Sequence, residues 1–227
     1  MEHLTYLLLL LIYLVIPIIL SIQKKVRFVF RVRYLIPATI FSGALFLMMC
    51  WRFTEFGIWN FNDEYITGIF WFKVPLEMWM SVIIIPFSSV YIYEWLKIKL
   101  EKFEKANLFL AVSLILLISF IAMAYFYSRA LFSFFVFFLT AIYLGYTIFR
   151  NRFKKHLTKF YLSYFIMLIP FIIVSFIMNL LPVITYNDAH ILPVSVLGIP
   201  VERFVYLYLM MLINFTIYEY ISERQYY

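Results

Sequence analysis

The chain has 227 residues, is 66% hydrophobic and only 14% charged, and carries a formal charge of +7. A soluble domain of this length has no interior large enough for so much apolar surface, so the composition points to a polytopic membrane protein whose solvent is lipid. The basic excess lies between apolar stretches, as membrane topology requires, and is not a nucleic-acid footprint. A single cysteine, Cys50, excludes an intramolecular disulfide and a thiolate metal cluster.

Seven stretches approach the roughly 20 apolar residues that cross a bilayer. They are residues 4–22, 34–51, 74–96, 108–127, 130–149, 160–181 and 200–221. The first is read as a span and not as a signal peptide, because Glu2 and His3 precede it and its positive charge follows it. Lys24, Lys25, Arg27, Arg31 and Arg33 follow span 1. Lys97, Lys99, Lys102 and Lys105 follow span 3. Arg150, Arg152, Lys154, Lys155 and Lys159 follow span 5. These three loops hold 14 of the 19 basic residues and are expected to face the cytoplasm, with the N-terminus outside and the C-terminus inside. Pro75 and Pro200 fall at the first turn of spans 3 and 7, whereas Pro86 and Pro170 lie deeper and are expected to kink their helices.

Residues 58–96 superimpose on residues 183–221 at a shift of 125 positions without a gap. Only 8 of the 39 pairs are identical, but most of the matches are polar or turn-forming residues, uncommon in so apolar a chain. Asn62 falls on Asn187, Asp63 on Asp188, Pro75 on Pro200, Glu77 on Glu202, Tyr93 on Tyr218 and Glu94 on Glu219. An internal duplication of three spans follows. With span 4 left over as a linker, the two repeats have the same orientation, related by a pseudo-twofold along the membrane normal. The expected organisation is an all-α seven-helix bundle, with a first repeat over 1–107, a linker helix over 108–129 and a second repeat over 130–227.

Four carboxylates lie in or at the ends of spans, where an ionisable group is costly and is a functional candidate by default. Glu77 and Glu94 are 17 residues apart, about 25 Å along a helix, so Glu77 and Glu202 lie near one membrane boundary and Glu94 and Glu219 near the other. The inner pair reads either as a functional site or as side chains reaching the interface beside Lys97 and Arg224. Glu77 and Glu202 each follow Pro-x at a helix N-terminus. They read either as N-terminal caps or as acids for protonating an alkene in an apolar pocket. Asn62-Asp63 and Asn187-Asp188 read as turn residues or as the rim of a binding site. Ser88, Ser89 and Asn214 form a polar layer of the kind that joins helices.

The histidines, His3, His156 and His190, are scattered, so no zinc or di-iron cluster is expected, and no GxGxxG marks a dinucleotide site. No cofactor is expected.

Around Pro75-Leu76-Glu77 and Pro200-Val201-Glu202 the sequence resembles the bacterial lycopene cyclase domain family. The likeness extends through FTEFGIWNFNDEYITGI, TYNDAHILPVSVLGIPVE and the YEW and YEY endings. The resemblance implies a carotenoid cyclase. Such an enzyme takes a long apolar carotenoid or isoprenoid from the bilayer, protonates its terminal alkene, closes a ring and removes a proton, without net redox. It places Glu77 and Glu202 as catalytic, with Glu94, Glu219, Asn62 and Asn187 as secondary candidates, and carotenoid-pathway enzymes as partners. The family pattern has two adjacent acids after each proline; here the second is Met78 in one repeat and Arg203 in the other. Arg203 beside Glu202 is expected to favour the ionised form of that carboxyl and make it a poorer proton donor. The alternatives are a family member that binds a carotenoid or a partner enzyme without chemistry, or an enzyme for another isoprenoid.

Overall fold

In lipid every backbone polar group must be satisfied within the segment, so long apolar stretches become helices. The structure, a computed structural model, describes residues 2–21, 31–151 and 153–224. Lys24, Lys25, Arg27 and Arg152, on which part of the orientation argument rests, lie outside them, as does the side chain of Arg224.

Among the described residues seven α-helices form a bundle: α1 (Thr5–Ser21), α2 (Val32–Glu55), α3 (Leu76–Lys99), α4 (Ala106–Phe126), α5 (Leu131–Arg150), α6 (Leu157–Leu180) and α7 (Val201–Arg224). Six are long and apolar enough to cross a membrane. The exception is α1, whose 17 residues fall short of the expected span 4–22. Pro86 and Pro170 lie inside α3 and α6, and Pro17 and Pro37 inside α1 and α2.

The duplication read from the sequence is present in the packing. α1 packs on α3 as α5 packs on α7, and α2 packs on α7 as α6 packs on α3. The second pair of contacts runs between repeats, so the two halves interleave and share one core. α4 lies outside this arrangement, against α5 and α6, with most of its surface facing outward.

The loops after α2 and α6 carry short strands: β1 (Trp59–Phe61), β2 (Phe70–Trp71), β3 (Val74–Pro75), β4 (Ile184–Tyr186), β5 (Ser195–Val196) and β6 (Ile199–Pro200). β1 pairs antiparallel with β4, centred on Asn60 opposite Thr185, which are equivalent positions in the two repeats. On either side, Asn62 N–H donates to the Val183 carbonyl at 3.0 Å and Asn187 N–H to the Ile58 carbonyl at 2.9 Å. This reciprocal pairing is what a twofold axis between the strands produces. It also brings both loops to the same end of the bundle, so the repeats run in the same direction. β2–β3 and β5–β6 are tight hairpins whose two-residue turns have positive φ throughout, Phe72-Lys73 in one and Leu197-Gly198 in the other.

Candidate active site

Each Pro-x-Glu motif follows one of these hairpins, so its glutamate enters the first turn of α3 or α7 directly beneath the loop. Glu77 Oε1 accepts the backbone N–H of Thr67 at 2.7 Å, and Glu202 Oε1 accepts that of Leu192 at 2.6 Å. Donor and acceptor are ten residues apart in both repeats. Ser133 on α5 also donates to Glu202 Oε1. Both glutamates are fully buried, and in each Oε2 has no hydrogen-bond partner among the described residues. Each carboxyl therefore pins its outer loop to a helix with one oxygen and leaves the other free.

The next residue in each motif points elsewhere. Successive helical residues diverge by about 100°, so Met78 and Arg203 leave the loop side and face the centre of the bundle. There they line a cavity of about 80 Å³ to which every helix except α4 contributes. Repeat-equivalent pairs build its wall: Met78 with Arg203, Phe46 with Phe171, Val82 with Leu207 and Ile85 with Met210. The cavity thus straddles the pseudo-twofold. Glu77 and Glu202 are absent from its lining. Among the described residues Arg203 forms no ion pair with Glu202. The guanidinium instead lies 5.7 Å from the Phe171 ring and 6.0 Å from the Tyr186 ring.

The remaining wall is aromatic and hydroxylated. Phe46 meets Tyr206 edge-on at 4.8 Å, and Trp59 touches Phe132 at 5.5 Å and Tyr186 at 6.1 Å. Tyr6 donates to the sulfur of Met78 at 2.8 Å. Burial raises the Tyr186 phenol above its ordinary range, Arg203 opposing, so this hydroxyl stays a proton-bearing donor at neutral pH. A cavity with this lining suits an apolar end group, and its ring faces can stabilise a developing cation.

Glu94 and Glu219 meet at the other end of the bundle. Glu94 Oε2 pairs with Arg31 at 2.6 Å, and its Oε1 receives the hydroxyl of Tyr218 at 3.0 Å. Lys97 bridges both glutamates, 3.3 Å from Glu94 and 2.8 Å from Glu219. In the mirror relation, Tyr93 bonds Glu219 and also His156 Nδ1 at 2.9 Å. Each repeat's tyrosine thus reaches the other repeat's glutamate. The two acids are buried in a charge-balanced network, against the sequence reading that extends them to the interface beside Lys97. His156 Nε2 lies 3.0 Å from Glu223 and 3.8 Å from Glu219, a grouping that spacing along the chain did not reveal. Lys97 and Lys155 already neutralise those two carboxylates.

Asn62 and Asn187 form equivalent Asx turns: their Oδ1 atoms accept the N–H of Glu64 and Ala189, both at 3.1 Å. Neither lines the cavity. Asn214 donates to Ser42 at 3.0 Å and joins α7 to α2, and Ser163 donates to the Ser89 carbonyl at 3.0 Å and joins α6 to α3. Of the polar layer, Asn214 alone joins helices through its side chain; the Ser89 hydroxyl donates within α3 to the Pro86 carbonyl, and that of Ser88 has no partner among the described residues.

Comparison with known proteins agrees with this geometry. The family described as Lycopene cyclase matches residues 3–96 and 129–221, one segment for each repeat. No curated protein and no solved structure gives a match.

Proposed function

Since the chain belongs to the lycopene cyclase family, we propose that it is an integral-membrane cyclase of the carotenoid type. It draws one end of a long isoprenoid from the bilayer into the cavity on the pseudo-twofold. There it closes a ring by protonation, cyclisation and deprotonation, without net redox. The carrying observation is the cavity itself: apolar, aromatic, and built from equivalent residues of both repeats. A carbocation formed there faces aromatic rings instead of water, with the Arg203 guanidinium as an opposing charge on the same wall.

Protonation of an alkene needs an acid, and the carboxyls nearest the cavity in sequence are Glu77 and Glu202. Oε1 of each is occupied by a loop N–H, so Oε2, which the fold leaves without a partner among the described residues, is the oxygen through which a proton would pass. One glutamate acts as acid and the other steadies the cation. Glu94 and Glu219 serve the charge network that closes the opposite end. The two repeats, 1–107 and 130–227 around the linker 108–129, then form one site together. The protein sits in the inner membrane with its N-terminus outside, which sets Glu77 and Glu202 towards the outer boundary.

The test is a pigment profile. The full chain is produced in a bacterial host that accumulates lycopene, and the extracted carotenoids are separated. Mono- or bicyclic products are the expected result. Unchanged lycopene beside well-inserted protein would overturn lycopene cyclisation.

A specific observation favours a second reading, binding without chemistry. The two motif positions that face the cavity are Met78 and Arg203, and neither can deliver a proton to an alkene at neutral pH. On this reading Glu77 and Glu202 are loop anchors alone.

A further inference from the structure

Arg203 is the odd group in an otherwise uncharged cavity. Among the described residues it forms no hydrogen bond and no ion pair; its contacts are the faces of Phe171 and Tyr186. The neighbouring carboxyl of Glu202 gives Oε1 to Leu192 and Ser133, and its Oε2 makes no ion pair with Arg203 among the described residues. A guanidinium partly withdrawn from water without an ion pair is costly. Tyr6, Tyr13 and Tyr186 line the same cavity, the Tyr186 ring 6.0 Å from the guanidinium. Neither Tyr13 nor Tyr186 has a hydrogen-bond partner among the described residues, although both line the same cavity. A cation with several unused donors converging on one small space is the arrangement that receives an anion.

We infer that the cavity binds the carboxylate end of a long isoprenoid acid, with Arg203 as the counter-charge and the Tyr13 and Tyr186 hydroxyls as additional donors. Charge selects within the anions. The single guanidinium on the cavity wall balances the one charge of a carboxylate and leaves a diphosphate, with its greater charge, undercompensated. Most of the remaining wall is aliphatic or aromatic, so the remainder of the ligand is a hydrocarbon that leaves between helices into lipid. The inference rests on the cavity being the isoprenoid site, and it holds whether or not a ring is closed there.

The test compares two probes with the same polyene skeleton, all-trans-retinoic acid and all-trans-retinol, titrated into the purified full chain in detergent. Quenching of tryptophan emission reports binding, and Trp59→Phe identifies the share from the cavity wall. The acid is expected to bind roughly tenfold or more tighter than the alcohol. Arg203→Met is expected to abolish that preference while retinol binding persists, and Arg203→Lys to retain part of it. Equal affinities in the unchanged protein, no saturable binding of either probe, or an undiminished preference in Arg203→Met would each overturn the proposal. The comparison of acid with alcohol needs no variant, so a failure of Arg203→Met to fold leaves the proposal testable. Unchanged lycopene together with a clear preference for the acid would remove ring closure and leave the anion site standing. Ring closure together with equal affinities would do the reverse.

Discussion

The hydroxyl of Tyr218 donates to Glu94 across the repeat boundary at 3.0 Å, and Tyr93 bonds Glu219 in return. These crossed bonds fasten the end of the bundle remote from the hairpins. Arg31 and Lys97 complete the charge balance, each still partly exposed.

Removing Glu94 tests how much that end depends on the network. Glu94→Ala leaves Arg31 and Lys97 facing a buried vacancy and strips Tyr218 of its acceptor. The expected loss is on the order of 2 kcal/mol, below the usual figure for a broken buried pair because both cations reach water. It would appear as a lower melting temperature of the detergent-solubilised protein. Tyr218→Phe removes one bond and should cost about 1 kcal/mol in the same measurement.

Glu77 and Glu202 have a positional task and a proposed chemical one, and substitutions can separate them. Glutamine keeps an oxygen to accept the Thr67 or Leu192 N–H, so Glu77→Gln and Glu202→Gln should fold with little change in melting temperature. Alanine leaves a buried N–H without an acceptor and should cost about 1–3 kcal/mol. If the glutamates are the acids, the glutamine variants lose ring closure while remaining folded. Full conversion by both glutamine variants would remove these residues from the chemistry.

The cavity-facing pair can be given acids. Met78→Glu with Arg203→Asp places two carboxyls where the pair now offers a thioether and a guanidinium. In the pigment assay the double variant should convert lycopene at least as well as the unchanged chain. Conversion by the variant alone would favour binding without chemistry for the natural sequence. The same variant should lose its preference for retinoic acid over retinol.

The two hairpins predict opposite responses to glycine exchange. Lys73 has a φ of 61°, a left-handed conformation that its side chain disfavours, whereas Gly198 holds the equivalent place at 76°. Lys73→Gly should raise stability by about 1 kcal/mol, and the distant exposed pairing with Glu55 will be little missed. Gly198→Ala should be harmful, because a Cβ there would lie 2.3 Å from Asn179 Nδ2 as well as at positive φ. Thermal unfolding of both variants checks the sign of each.

Much of this architecture was legible in the residues. Span positions follow from unbroken apolar runs, and the register of the duplication follows from polar matches such as Asn62 with Asn187 and Glu94 with Glu219. Facing was not legible. In a soluble helix the polar side marks the outside, but here lipid and core are equally apolar, so nothing in the sequence separated Glu77 from Met78 as the residue turned to the cavity. The β1–β4 pairing was missed for another reason: three-residue strands bonded across 125 positions leave no local signature. The grouping of His156 with Glu219 and Glu223 likewise arises only when α7 is laid beside the start of α6.

The interleaving of the halves imposes an order in time. If the helices enter the bilayer as they are made, α2 and α3 arrive well before α7 and α6, the helices against which they finally pack. Until then Asn214 is missing from beside Ser42 and Tyr218 from beside Glu94. The first half therefore waits, incompletely satisfied, for the last helix to be synthesised. A ribosome stalled after α5 would leave a chain already in the membrane but unable to form its cavity.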